Sequence, residues 1–454
     1  MPFVALLVVV CLAPLPYGAV EIGAWSALCL AVGLCLVAWA ASVAMGKAPS
    51  VWGFRRLRWP LLLFLLTAAW IIVQITALSP EAWHHPLWTL AGSALGETLR
   101  GRISLDPQEG YFGLIRLVAY AAVFWLATQY GRDSRWANLA LRTLAWAAGL
   151  AAGLGLVIWA LRPDGFLWYS PAFIARILQG GRLAFPFVNP DHLAAFAGMG
   201  LICAVGMLAG EARGLWRPET PGREKVRRLL ENVCVKRWYL VLAAVVLAAV
   251  TLLSLSRAGL LVTALGLVAL AAALMRRSRP RASVLLSWLT VVLIAAAALF
   301  GPSLARLGDR IAAGDLASEK RLTIYAHTAE AIAASPWLGY GYGSFADLYG
   351  MYDTDDVNQT VESAHSTVLE NVVELGLPAA TALDAAILLA VFWCWRGAGQ
   401  RRRDQHLPAV ATGVSVQLLI HSMVDFPLQI PAITIFFMVV LGVGVAQSFS
   451  STEI

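Results

Sequence analysis

Apolar runs long enough to cross a bilayer follow one another along almost the whole of this chain, and that property excludes most folds. A helix needs roughly 20 apolar residues to span about 30 Å of hydrocarbon. Such runs, some a little shorter, lie at residues 3–17, 22–45, 59–78, 111–130, 139–161, 192–210, 238–255, 259–275, 283–302, 379–395, 409–424 and 430–449. Only 13% of the 454 residues are charged, about half the share in a soluble domain. The apolar pattern is continuous rather than alternating, which rules out a membrane β-barrel. The expected fold is all-α, a polytopic membrane bundle of about a dozen transmembrane helices. The first run ends in small residues, as a signal peptide does, but it lacks a basic start and a second span follows at once, so it counts as a helix.

Lys and Arg set the orientation. They concentrate in alternate loops, around Lys47 to Arg58, Arg132 to Arg135, Arg213 to Arg237, Arg276 to Arg281 and Arg396 to Arg403, which marks those loops as cytoplasmic. Both termini are then expected inside, with the remaining loops outside. The net charge of +7 is an orientation signal with some attraction to anionic lipid, not a nucleic-acid footprint. The six cysteines fall in spans or on the inner side, so no outer disulfide and no metal spacing is expected.

One long polar interval, residues 302–378, interrupts the apolar runs. It divides the chain into membrane helices over 1–301, an outward loop domain over 302–378 and membrane helices over 379–454. Two stretches within it, 318–335 and 363–377, have helical periodicity. On the first wheel Leu322, Ile324, Tyr325, Ala329 and Ile332 share an apolar face centred on Arg321. On the second, Val368, Leu369, Val372, Val373 and Leu375 share a face centred on His365, with Glu370 and Glu374 behind. Between them, Gly339-Tyr-Gly-Tyr-Gly343 reads as a flexible turn, and Asp353 to Asp356 as a solvated acidic run rather than a cation site.

Other polar residues mark the outer ends of spans. The adjacent His84 and His85 among Trp83 and Trp88 read as an interfacial anchor. Asn189 before Pro190 makes a natural helix N-cap; alternatively Asn189, Asp191 or His192 faces a cavity. Arg257, in a tight outward turn, is either a headgroup anchor or a phosphate ligand. Asp425 either ligates or orients a group there, or ends its helix before Pro427. Two guanidiniums suit a pyrophosphate, and His365 suits a proton acceptor.

In order, Phe187-Val-Asn-Pro-Asp-His-Leu-Ala194, Leu255-Ser-Arg-Ala-Gly259, Arg321, Pro336-Trp-Leu-Gly-Tyr-Gly341, Ala364-His-Ser-Thr-Val-Leu-Glu-Asn-Val-Val-Glu-Leu-Gly376 and His421 through Pro427 resemble the O-antigen ligase and polymerase superfamily of bacterial inner-membrane glycosyltransferases. The family's second Asn in the first motif is replaced here by Asp191. The resemblance implies a GT-C-like bundle with one large periplasmic loop. It also implies inverting, metal-independent and cofactor-free transfer of a glycan from undecaprenyl pyrophosphate to an acceptor hydroxyl on the periplasmic face. Lipid A–core is the acceptor for a ligase, a second lipid-linked glycan for a polymerase. His365 is then the base, and Arg257 and Arg321 neutralise the leaving pyrophosphate. Asn189, Asp191, His192, Glu374 and Asp425 contact substrate, and the prenyl tail lies in a lateral groove between spans. A lipid-linked glycan transporter is the alternative from another class; it favours charges near the midplane, whereas the charges singled out here stand at the outer rim.

Overall fold

The protein was examined as a computed structural model, which describes residues 2–48, 55–178, 181–213, 223, 227, 231–276, 316–352 and 361–449. Fifteen α-helices and no strand occur among them: α1 (Pro2–Leu12), α2 (Ile22–Ala44), α3 (Arg58–Ile75), α4 (Leu87–Leu95), α5 (Pro107–Gly131), α6 (Ser134–Leu161), α7 (Pro171–Leu178), α8 (Pro190–Arg213), α9 (Trp238–Leu253), α10 (Arg257–Met275), α11 (Leu316–Ala334), α12 (Phe345–Tyr352), α13 (Thr367–Gln400), α14 (His406–His421) and α15 (Pro431–Ala446). Of these, α2, α3, α5, α6, α8, α10 and α13 are long and apolar enough to cross a membrane, while α1, α9 and α15 are apolar but shorter. Each apolar run in the sequence falls on one of these helices except 283–302, which lies outside the described residues, as does the acidic run at 353–356. The chain is a multi-pass membrane protein.

Helix starts follow the local sequence. Asp106 accepts from the amides of Gln108 and Glu109 at 2.8 and 3.1 Å, with Pro107 opening α5. Ser256 caps α10 by accepting from Gly259 at 2.9 Å. Such side chains satisfy the amides that a helix leaves unpaired at its start. The bundle is built around α8, which packs against α6, α9, α10 and α14, while α15 packs against α5 and α14. Lipid offers no hydrophobic incentive for helices to associate, so close backbone approach through small residues has to supply it. A β-carbon on Gly266 of α10 would meet the Gly413 carbonyl of α14 at 2.8 Å.

The polar loop and the membrane meet at a break in α13. Gly376 has φ 73 and ψ 160, a conformation that glycine adopts readily, and Pro378 has no N–H to offer the Glu374 carbonyl. Carbonyls around the break find donors outside the helix. Glu374 O accepts from Gly341 N at 2.9 Å and from Gln74 Nε2 at 2.8 Å. Leu375 O accepts from Trp70 Nε1 at 2.8 Å, Val373 O from Tyr340 N at 3.1 Å and Ala379 O from Thr67 Oγ1 at 3.1 Å. Non-helical backbone at membrane depth survives on such replacement. The Gly339-Tyr-Gly-Tyr-Gly343 segment is therefore a strap bonded to α13 rather than a flexible turn.

The strap also corrects the wheel readings. A small core joins Leu105, Ile324, Ala331, Tyr340, Phe345, Leu348, Tyr349, Ala364 and Val373. On α11 the buried face runs through Ile324, Thr328 and Ala331, whereas Leu322 and Ala329 are exposed. On α13, Glu370 and Glu374 do not lie on a solvated back face. They are 6% and 4% exposed, because Ala364 N and Gln429 Nε2 donate to Glu370 and Phe345 N donates to Glu374.

Candidate functional site

One carboxylate, Asp425, gathers three imidazoles at the end of the bundle where α8 begins and α14 finishes. Its Oδ1 stands 3.7 Å from His365 Nδ1. Its Oδ2 stands 4.0 Å from His192 Nε2 and 3.9 Å from His421 Nε2. Asp425, His192 and His421 are buried, while the His365 side chain keeps 32% of its exposure. Among the described residues the facing nitrogens and both Asp425 oxygens have no hydrogen-bond partner within bonding distance, and buried polar atoms so left are rare in folded proteins. Phe426 walls the group, with its ring 4.7 Å from His192 and 5.4 Å from His365.

A second carboxylate lies beside the first. Asp191, in the first turn of α8 where the helix dipole favours an anion, binds Arg182 Nη2 at 2.9 Å. Arg321 Nη2 approaches its other oxygen at 4.0 Å, and Arg321 Nη1 donates to the Val424 carbonyl at 3.4 Å. These two long contacts leave most of the five donors of Arg321 uncommitted. Asn189 fills the N-cap role: its Oδ1 accepts from Asp191 N at 2.8 Å. Arg257 is exposed at the first position of α10, three residues after Ser254, whose carbonyl accepts from Arg182 Nε at 3.1 Å. Thus Asp191, His192, Arg321, His365 and Asp425 come together, and Arg257 stands at the start of a helix packed against α8 and α14.

Glu374 is placed elsewhere. Its Oε1 accepts from Phe345 N at 3.1 Å, at the start of α12, and it faces a cavity of about 810 Å³. That cavity is largely apolar, bounded by α3, α5, α13 and α15, with Leu61, Leu117, Tyr120 and Leu441 on its walls. Thr367 lines it too, and its amide donates to the Asp425 carbonyl at 3.2 Å, so the chamber reaches the edge of the imidazole cluster. Arg116 and Asp384, both inside spans, line it as well.

The local field fixes the charge of Asp425. Burial works to raise its pKa, but the His365 ring, with His192, His421 and Arg321, outweighs that and holds the carboxyl below the ordinary 3.8. His365 itself has φ 50, an uncommon backbone state for a residue with a β-carbon. Its carbonyl accepts from Tyr325 Oη at 3.0 Å, and its amide donates to Ser363 Oγ at 3.4 Å.

Residues 242–383 match the family model described as O-antigen ligase. Over that stretch the chain is similar to the O-antigen ligase family. A comparison with curated proteins finds no match. The O-antigen ligase stretch runs from α9 into α13, so it contains Arg257, Arg321, His365 and Glu374, whereas Asn189, Asp191, His192 and Asp425 reach the same region from outside it.

Arg182 is absent from the residues that the sequence singles out. The signal that flags Arg257, an arginine in a loop on the side that the positive-inside rule leaves poor in basic residues, applies to it equally. Glu370 reads from the wheel as a back-face residue, because a helical wheel carries no information about Ala364 and Gln429 closing over that side.

Proposed function

We propose that the protein is a glycosyltransferase that moves a glycan from undecaprenyl pyrophosphate to the hydroxyl of lipid A–core, at the periplasmic side of the inner membrane. The observation that carries this reading is the meeting of His365 and Arg321, both within the stretch similar to the O-antigen ligase family, at the paired carboxylates Asp425 and Asp191. With Nδ1 turned to an ionised carboxyl, the imidazole is oriented and its Nε2 is left to take a proton. In the transfer step His365 removes the proton from the acceptor hydroxyl, and that oxygen bonds to the anomeric carbon. The bond to the pyrophosphate oxygen breaks on the opposite face, and the pyrophosphate departs with the electron pair. Arg321 and Arg257 neutralise the charge that develops on it. The sugar lies under the loop domain of residues 302–378, and the 810 Å³ chamber receives the first isoprene units of the tail. Asp191, His192 and Asp425 set the polar floor, Asn189 holds the start of α8, and Glu374 shapes the chamber wall. No metal ion or other cofactor enters these steps.

Purified protein in nanodiscs, given a synthetic undecaprenyl pyrophosphate-linked repeat with and without lipid A–core, tests the reading. Transfer that requires lipid A–core supports the ligase; a ladder of longer chains without it assigns a polymerase with the same donor chemistry. His365→Ala, Arg321→Ala and Arg257→Ala each abolish transfer while the protein remains inserted. Full activity of the His365 variant ends its assignment as base. Membranes bearing Arg257→Ala that still move the lipid-linked glycan but form no product set transport aside.

A further inference from the structure

Glu370 is 6% exposed, and both of its oxygens are occupied. Oε2 accepts from the backbone amide of Ala364 at 2.9 Å, and Oε1 accepts from Gln429 Nε2 at 2.6 Å. Ala364 immediately precedes His365, and Gln429 stands four residues after Asp425. A single carboxylate thus grips the two chain segments that carry the imidazole and its facing anion. The same helical turn adds a second grip, since Thr367 donates to the Asp425 carbonyl from its amide at 3.2 Å and from its hydroxyl at 3.4 Å.

Such holding matters because the His365–Asp425 approach is not itself a hydrogen bond. At 3.7 Å the imidazole is steered by charge, and its direction depends on the main chain beneath it. That main chain is in the left-handed region at φ 50, which persists only where its surroundings over-determine it. Ala364, the neighbour on one side, is fully buried and bound by Glu370.

We propose that Glu370 is a positioning residue for transfer, acting through His365 by clamping the backbone at Ala364 to the segment that follows Asp425. The inference deepens the reading of His365 as base and rests on it.

The test compares Glu370→Ala, Glu370→Gln and His365→Ala in nanodiscs with the undecaprenyl pyrophosphate-linked donor, together with hydrogen exchange of the backbone amides. In Glu370→Ala, kcat falls by about 100-fold, the scale set by misplacing a reacting group by an ångström, with the donor KM unchanged. Residues 361–369 exchange faster. Glu370→Gln keeps an oxygen for Ala364 N, and the Gln429 amide can turn over to meet its new NH₂ group, so this variant recovers most of kcat and the slow exchange. Wild-type kcat in Glu370→Ala, a rise in KM alone, or unchanged exchange beside a lost rate would each overturn the positioning role while leaving His365 as base. Full turnover in His365→Ala would instead remove the base, and this inference with it.

Discussion

Asp425 is the residue at which burial and charge oppose one another most directly, and the sign of the outcome makes a pH prediction. Its folded pKa lies below the ordinary 3.8. The ionised carboxyl therefore stabilises the fold fully above that ordinary value, and the contribution is lost as the pH falls through the lower folded value. Thermal unfolding in detergent should show a loss of stability below about pH 4. In Asp425→Asn the midpoint at neutral pH falls, and that part of the acid-induced loss disappears. An Asn variant with the acid dependence of the parent would show that the imidazoles do not hold the charge. At this scale several of the gathered residues were legible as candidates: Asp191, His192 and Asp425 stand near the ends of predicted spans, and Arg321 and His365 on the apolar faces of the loop helices. Their convergence was not, because nothing in local periodicity says that residues 191, 321, 365 and 425 meet.

Among the elements, α13 carries the most consequence, since it joins the loop to the membrane through a helix that is broken yet fully hydrogen-bonded. Gln74 is completely buried and donates to both Leu338 O at 2.7 Å and Glu374 O at 2.8 Å. Gln74→Ala strands the Leu338 carbonyl and halves the supply to Glu374, at a cost of about 1–3 kcal/mol for each buried group left unmade. Gly376→Ala does worse, because a β-carbon there collides with the Trp337 carbonyl in a backbone state that only glycine accepts easily. Thermal melts in detergent should rank both below the parent, with Gly376→Ala the less stable; a Gly376→Ala protein as stable as the parent would mean that the break can be straightened. From sequence the helical stretch 363–377 ends just before Pro378; the structure breaks the helix at Gly376 and carries it on through Pro378. Invisible in the sequence is that the next helix resumes almost at once, because the compensating donors lie some 300 residues away on α3.

For the molecule as a whole, the large apolar chamber ends beside the charge cluster, with Thr367 on its wall and bonded to the Asp425 carbonyl. Ala121 lines that chamber, and Ala121→Trp should raise the donor KM while leaving kcat at saturating donor nearly intact, as expected when binding shared by ground and transition state is removed. A fall in kcat with KM unchanged would place the tail elsewhere. Chelation with EDTA should leave transfer unaltered; activity lost on chelation and restored by magnesium would bring a cation into the mechanism. The helical bundle was legible almost from end to end because an apolar run can do little else in lipid. The charged residues Arg116 and Asp384 passed unnoticed within such runs, since a single ionisable group hardly alters the average of its neighbours.

The freed carbonyls of α13 draw their donors from α3 and from the strap at residues 339–343, all of them made before α13, so the broken helix enters a place already prepared for it. A chain in which α3 or the strap were misplaced would present those carbonyls to lipid with nothing to meet them.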